Sequence, residues 1–471
     1  MNKKRELAKN TFIILAGKIS TQMITFFMLP LYTSYLLTKE YGLVDLITTY
    51  VTLIIPIVTL DTEMAMFRFL IDRRKDKKET SNLLSNNFVF LTISLSIFTI
   101  LYLLIIPFIN IPFKYLILAD IIICVLSSNF LQIARGMGRN IDYSIGCIVT
   151  GLSIVLLNIV FIIYLRMGAF GMLLGTALGN LMCDIYLFIR LKLYKHLTFK
   201  KTDKKTIKSM LAYSIPLVPS TLSWWIINIS DKTIISIFIG VAANGIYAVS
   251  NKFATIFSSV LNIFNLSWGE SAALHIEDKD RDKFFSDVFN TIFKLFSSLG
   301  LGIIACMPFI FSILVNKNYN DAYNYLPILI VGVCINVLLV LYNGIYIAKK
   351  LTKKVASITV IGAIVNVAIN LIFVKYIGLY AAALSTAIAC LVMTLHRHFD
   401  SKKYVKIKYE KMIFINALLL FTITIFAYYN RNTKLQIIAL IISIIYAYIA
   451  NRKLLKSFKT SFLNKIIKRN V

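Results

Sequence analysis

The chain has 471 residues, 58% of them hydrophobic and only 15% charged, with a mean hydropathy of +0.75. A soluble domain carries about 25% charged residues, so a water-soluble globular enzyme is excluded. The formal net charge of +29 would suit nucleic acid in a soluble protein, but the basic residues collect in short stretches between apolar runs. That is the distribution of loops facing anionic lipid, and no soluble domain is left to fold around a strand.

A bilayer core needs about 20 apolar residues per helix, and fourteen runs qualify: 11–36, 41–67, 82–109, 114–137, 141–165, 168–190, 207–238, 243–268, 284–311, 323–347, 353–375, 378–398, 411–429 and 435–450. The start carries Lys3, Lys4, Arg5 and Lys9 before the first run and so imitates a signal peptide. The run is too long for one and lacks a small-x-small cleavage site, which makes it a retained first helix. The loops then alternate in charge. One set, from the N-terminus through Arg73–Lys78, Arg190–Lys208 and Arg397–Lys411 to the tail, holds 39 of the 51 Lys and Arg residues, and the other holds 7. The positive-inside rule predicts that the first set and both termini are cytoplasmic.

Two landmarks recur. The segment from Arg166 and Gly168 through Phe170, Gly171, Gly175 and Gly179 is matched by Lys375 and Gly378 through Tyr380, Ala381, Ser385 and Ala389. Small residues every fourth position line one helix face and admit a close neighbour. Tyr41-Gly42-Leu43-Val44 is echoed by Asn244-Gly245-Ile246-Tyr247. The spacing predicts a duplicated six-helix unit. The expected architecture is all-α and membrane-embedded: an N-lobe of TM1–6 (1–205), a C-lobe of TM7–12 (206–410) related to it by a pseudo-twofold along the membrane normal, and 411–471 with TM13–14 and a basic tail.

Ionisable residues inside spans cost about 2.5–3.5 kcal/mol each on insertion scales and mark cavities. Five basic residues survive the loop assignment: Lys18, Arg68, which closes span two, Lys232, Lys252 and Lys294. Together they suit an anionic headgroup such as a pyrophosphate. Asp61 and Glu63 can neutralise Arg68 or bind a coupling proton or sodium ion. Asp231 and Lys232 are adjacent and point about 100° apart, so at least one needs a partner elsewhere. Pro30, Pro216 and Pro219 predict bends in the first helix of each lobe. The six cysteines lie inside apolar runs without a CxxC pair, and no cofactor or metal is expected. His396 and His398 are expected in a solvated loop.

The stretch from Ser214 through Pro216, Pro219, Trp224, Trp225, Asn228 and Ser230 to Asp231-Lys232 resembles the seventh helix of bacterial polysaccharide-repeat flippases. Gly240 to Lys252 and Lys18 to Gly42 are similar to the same family, which belongs to the multidrug/oligosaccharidyl-lipid/polysaccharide exporter superfamily. The likeness covers about the first 400 residues. It implies two six-helix lobes around a cationic cavity that carry undecaprenyl-diphosphate-linked oligosaccharide between leaflets. The partners implied are the lipid-linked oligosaccharide, membrane lipids and other polysaccharide-assembly proteins. Asn228, Asn251, Asn262 and Asn265 could meet the glycan.

Three alternatives stay open: a cation-coupled multidrug exporter, a peptidoglycan-precursor flippase, and a membrane-embedded polymerase or ligase. The last is disfavoured because outside loops are short and neither a P-loop nor an HExxH motif is present.

Overall fold

The computed structural model describes residues 23, 24, 26–74, 76–196, 203–349, 351–452 and 454. Among them the chain forms sixteen α-helices and no strand. It divides into two compact units, Met1–Gly245 and Ile246–Val471.

The first unit contains α1 (Leu29–Tyr35), α2 (Thr38–Thr59), α3 (Thr62–Arg73), α4 (Lys77–Ile105), α5 (Lys114–Gly136), α6 (Asn140–Asn158), α7 (Gly168–Arg190), α8 (Lys204–Ser214) and α9 (Val218–Phe238). The helix α10 (Val241–His275) begins there and continues into the second unit. The second unit contains α11 (Arg281–Leu314), α12 (Ala322–Ala348), α13 (Thr352–Ile377), α14 (Leu379–Ser401), α15 (Lys411–Asn430) and α16 (Thr433–Ala450).

Among the described residues, eleven helical segments, carried by α2, α4 to α7 and α11 to α16, are long and apolar enough to cross a membrane. They coincide with eleven of the expected spans, and the protein is an all-helical, multi-pass membrane protein. The helices α9 and α10 also have spanning length but are not among the eleven. Polar residues interrupt both, Ser230 to Thr233 in α9 and Ser250 to Lys252 in α10.

Local chemistry sets the helix ends. Asp76 caps α4, its carboxylate accepting from the N–H groups of Lys78 (2.8 Å) and Glu79 (3.1 Å). Asp203 caps α8 in the same way, through the N–H of Lys205 at 2.9 Å. Such caps satisfy donors that a helix start otherwise leaves bare. Hydrogen bonds from the Thr206 hydroxyl and the Lys205 N–H hold the Asp203 carboxyl below its ordinary range.

Two expected spans are broken. Span two ends at Thr59, because Leu60 (φ 52°) and Asp61 (φ 55°) are both left-handed, and α3 starts afresh at Thr62. Left-handed geometry costs about 1–2 kcal/mol per L-residue, so packing must hold it. Ala65, Met66 and Leu70 of α3 are buried against Leu83, Leu84, Ile133 and Ala134. Span seven is split into α8 and α9 by a 3-10 turn, Ile215–Leu217, that carries Pro216. Pro219 occupies the first turn of α9 and Pro30 that of α1, positions where a missing N–H is harmless. The expected bend is therefore at Pro216, whereas Pro30 and Pro219 start helices.

The repeated landmarks have repeated geometry within their own units. Gly168 (φ +56°) is the first residue of α7, and Gly378 (φ +57°) immediately precedes α14. In the first unit, a Cβ on Gly175 would overlap the amide of Asn158. The matching Ser385 accepts a 3.2 Å hydrogen bond from Asn366 of the preceding helix. Gly42 and Gly245, the other matched pair, meet each other. A Cβ on Gly42 would overlap the Val241 carbonyl and the Gly245 backbone, and one on Gly245 would overlap the Thr38 carbonyl.

The twelfth span runs further than expected, to Ser401, and takes Arg397 and His398 out of the loop assigned to them. Arg397 is 1% exposed. His398 shares contacts with the hydroxyls of Tyr342 (2.9 Å) and Tyr409 (3.2 Å) instead of lying in solvent.

Candidate functional site

The helices α2 and α9 carry the site. Asp45 and Thr49 stand one turn apart on α2 and so share a face. Lys232 of α9 reaches them both. Its Nζ lies 2.8 Å from Asp45 Oδ2 and 2.9 Å from Asp45 Oδ1, and it donates to Thr49 Oγ1 at 2.9 Å. The side chains are 15% and 22% exposed, for Lys232 and Asp45 respectively. The Asn244 amide donates to the Gly42 carbonyl (3.0 Å) and to Asp45 Oδ2 (3.3 Å). The Tyr50 and Thr233 hydroxyls are 2.7 Å apart. A second tie lies three helical turns away on α9, where the Thr221 hydroxyl donates to Asp61 Oδ2 at 2.9 Å.

Asp45 thus answers the question raised by the adjacent pair Asp231 and Lys232. Lys232 turns to α2, while Asp231 is 5% exposed on a different face. The sequence shows Asp45 as one of several acids within spans but does not pair it with Lys232, which stands 187 residues away. Its one local signal is the Asp45-x-x-x-Thr49 spacing on a predicted helix.

The other expected site residues are dispersed. Arg68 pairs with Asp72 of its own helix at 2.7 Å, with side-chain exposures of 48% and 59%. It therefore neutralises neither Asp61 nor Glu63. Those two are buried beside the left-handed break, and the Oε2 atom of Glu63 has no hydrogen-bond partner. Lys252, in the second unit, is half-buried on α10. Lys294, expected near mid-span, lies 3.1 Å from Glu410, the residue just before α15. Lys18 lies outside the described residues, as do the side chains of Trp224, Asn228 and Glu270.

The first unit buries further acids. Asp120 Oδ1 is 3.5 Å from the Cys124 thiol, and Asp184 Oδ1 accepts from Ser127 at 2.6 Å. No basic side chain among the described residues pairs with Asp61, Glu63, Asp120 or Asp184. Asp142 differs, since Arg139 (2.6 Å) and Arg190 (2.9 Å) both hold it. Among the described residues no group of three or more His, Cys, Asp and Glu is placed to hold a metal ion.

The family described as "Polysaccharide biosynthesis protein" matches residues 7–268, more than half of the chain and all of α1 to α9. The chain belongs to the polysaccharide biosynthesis protein family. No curated protein matches it significantly. Solved structures share the fold of this polysaccharide biosynthesis protein at low identity. It is similar to "Lipid II flippase MurJ, inward closed conformation", with a TM-score of 0.72 and 15% identity over 94% of this chain and 100% of that one. It is also similar to an inward-facing multidrug resistance MATE family transporter of the MOP superfamily, with a TM-score of 0.70 and 14% identity over 83% and 98%. A MOP superfamily transporter from Pyrococcus furiosus matches at a TM-score of 0.56 and 13% identity over 83% and 94%. The fold is therefore that of MOP-superfamily transporters and flippases.

Proposed function

We propose that this polysaccharide biosynthesis protein is a flippase that moves undecaprenyl-diphosphate-linked oligosaccharide across the bacterial cytoplasmic membrane, with both termini in the cytoplasm. The single observation that carries the reading is Lys232, a cation in a polar helix, held by Asp45 and Thr49 but still open to solvent at its edge. A carboxylate partner holds the Lys232 side chain oriented while no substrate is present. An incoming diphosphate offers more charge and more acceptor oxygens than Asp45 and can compete for the same three donors.

The lipid tail stays in the bilayer during transfer, so only the diphosphate and glycan need shielding. Lys252 and Lys18 are the further cations assigned to the diphosphate. Arg68 and Lys294, whose acidic partners Asp72 and Glu410 are more than half exposed, are assigned a smaller part. The matching geometry at Gly168 and Gly378 supports a duplicated six-helix unit with lobes 1–205 and 206–410, which would rock about the substrate.

The test is leaflet accessibility of a labelled undecaprenyl-diphosphate oligosaccharide in proteoliposomes. Transfer is expected to fall at least tenfold in Lys232→Ala and in Lys252→Ala at equal protein levels. Unchanged transfer in both variants would overturn the assignment of these lysines, and no transfer by the wild-type protein would overturn the flippase reading.

One observation favours a second reading. The first unit buries four acids without a basic partner among the described residues, which suits a cation-coupled exporter. Efflux of organic cations driven by a proton or sodium gradient, without movement of lipid-linked glycan, would select it.

A further inference from the structure

The second unit contains a cavity of about 490 Å³ between α10 and α11, within the range of small-molecule sites. Four polar side chains converge on it: Ser267 and Ser271 from α10, and Asp287 and Thr291 from α11. No hydrogen bond or ion pair among the described residues engages these three hydroxyls or the Asp287 carboxylate. Other hydroxyls of the same two helices are spent on their own backbone. Thr255 donates to Asn251 O and Ser259 to Thr255 O, both at 2.8 Å, and Ser298 donates to Lys294 O at 2.7 Å. Back-bonding of that kind is the usual fate of Ser and Thr in a helix.

The rest of the lining is aromatic and apolar. Trp268 is fixed by its donation to Leu341 O at 2.9 Å, and the half-buried rings of Phe264 and Phe284 stack against it at 6.0 and 6.2 Å. Depth matters too. A helix of 34 residues is about 51 Å long, well beyond a hydrocarbon core of about 30 Å. Asp287 falls in the second turn of α11, near the end of a helix that is longer than the hydrocarbon core.

We infer that this cavity is a binding site for one sugar ring of the lipid-linked glycan, apart from the lysines assigned to the diphosphate. The inference rests on the flippase reading. A diphosphate is repelled by Asp287. An acyl or isoprenoid chain would leave four polar groups unsatisfied, each at about 1–3 kcal/mol. A lipid amine would satisfy Asp287 alone. A sugar ring has hydroxyls that donate to Asp287 and accept from Ser267, Ser271 and Thr291, and its C–H face can cover Phe264 and Phe284.

The experiment uses the full chain in native membranes. Thr291→Cys and Ser267→Cys proteins are labelled with N-ethylmaleimide in membranes from cells that assemble the lipid-linked glycan. The comparison is with membranes from cells lacking the first glycosyltransferase, which carry only the undecaprenyl phosphate carrier. Labelling is expected to be about tenfold slower in the glycan-bearing membranes, and adding Asp287→Asn is expected to abolish the difference. Equal rates in the two membranes, at both positions, overturn the site, because a lipid tail or headgroup amine is present in both. Protection that survives Asp287→Asn overturns the role of the carboxylate. The readout does not depend on movement. Protection without leaflet transfer keeps the sugar site and sinks the flippase reading, whereas transfer without protection does the reverse.

Discussion

The two units bury opposite charge. In the first, Asp61, Glu63, Asp120 and Asp184 are at most 4% exposed, and no basic side chain among the described residues pairs with them. In the second, Arg397 is 1% exposed and forms no ion pair with a carboxylate among the described residues. Its Nη1 reaches the Leu339 carbonyl at 3.4 Å, its guanidinium lies 5.7 Å from the Tyr346 ring, and Nε has no partner. Yet the hairpins α6–α7 and α13–α14 keep the same glycine start and the same small-residue contact with a buried asparagine. Helix packing has therefore been retained while buried charge has diverged. Packing depends on side-chain size at a few positions, and charge depends on single residues that can change one at a time.

The largest effect that would sharpen this contrast is expected at the half-buried pair Asp45–Lys232 of the first unit. Asp45→Ala strands the Lys232 ammonium and is expected to lower stability by about 3 kcal/mol. Adding Lys232→Met should restore all but about 1 kcal/mol, as read from thermal unfolding of the purified protein. A smaller effect of the opposite sign is expected for the unpaired charges. Asp184→Asn and Arg397→Met should leave stability unchanged or raise it by about 1 kcal/mol, because each removes a buried charge that has no counterion. A loss of more than about 2 kcal/mol in either would break the contrast by exposing a partner. Such a loss is the mark of a buried network.

The smallest effect concerns the cap of α8. The folded-state pKa of Asp203 is depressed, so its contribution is present above the pKa of the unfolded chain and is lost as pH falls through the folded value. Asp203→Ala should lower stability slightly at neutral pH and converge with the wild type in acid, which flattens the acid limb of the unfolding curve.

Hydropathy made the spans legible because an apolar run of the right length has few other uses. The break at Pro216 was legible as well, since proline both lacks a donor and fixes its own φ. The break at Leu60–Asp61 was not, because neither residue type favours a left-handed backbone enough to mark one. Arg397 was read as the start of a loop, since a buried guanidinium without a carboxylate is the less common outcome. Charge pairing across the chain was out of reach. Asp45 and Lys232, or Lys294 and Glu410, meet only after helices far apart in sequence have packed. Asp287 gave no sign of its own, because an exposed acid near a helix start is ordinary, and only the cavity around it sets it apart.

The reversal of handedness at Leu60–Asp61 also bears on biogenesis. An unbroken helix from Thr38 to Arg73 would present the insertion machinery with a single rod of about 54 Å, far longer than the bilayer. With the break in place, the 22 residues of α2 form a complete span of about 33 Å, and α3 emerges as a separate element bearing Arg68, Asp72 and Arg73. Those charges all lie in α3, so a charged stop to translocation sits just past the point where packing later fixes the turn.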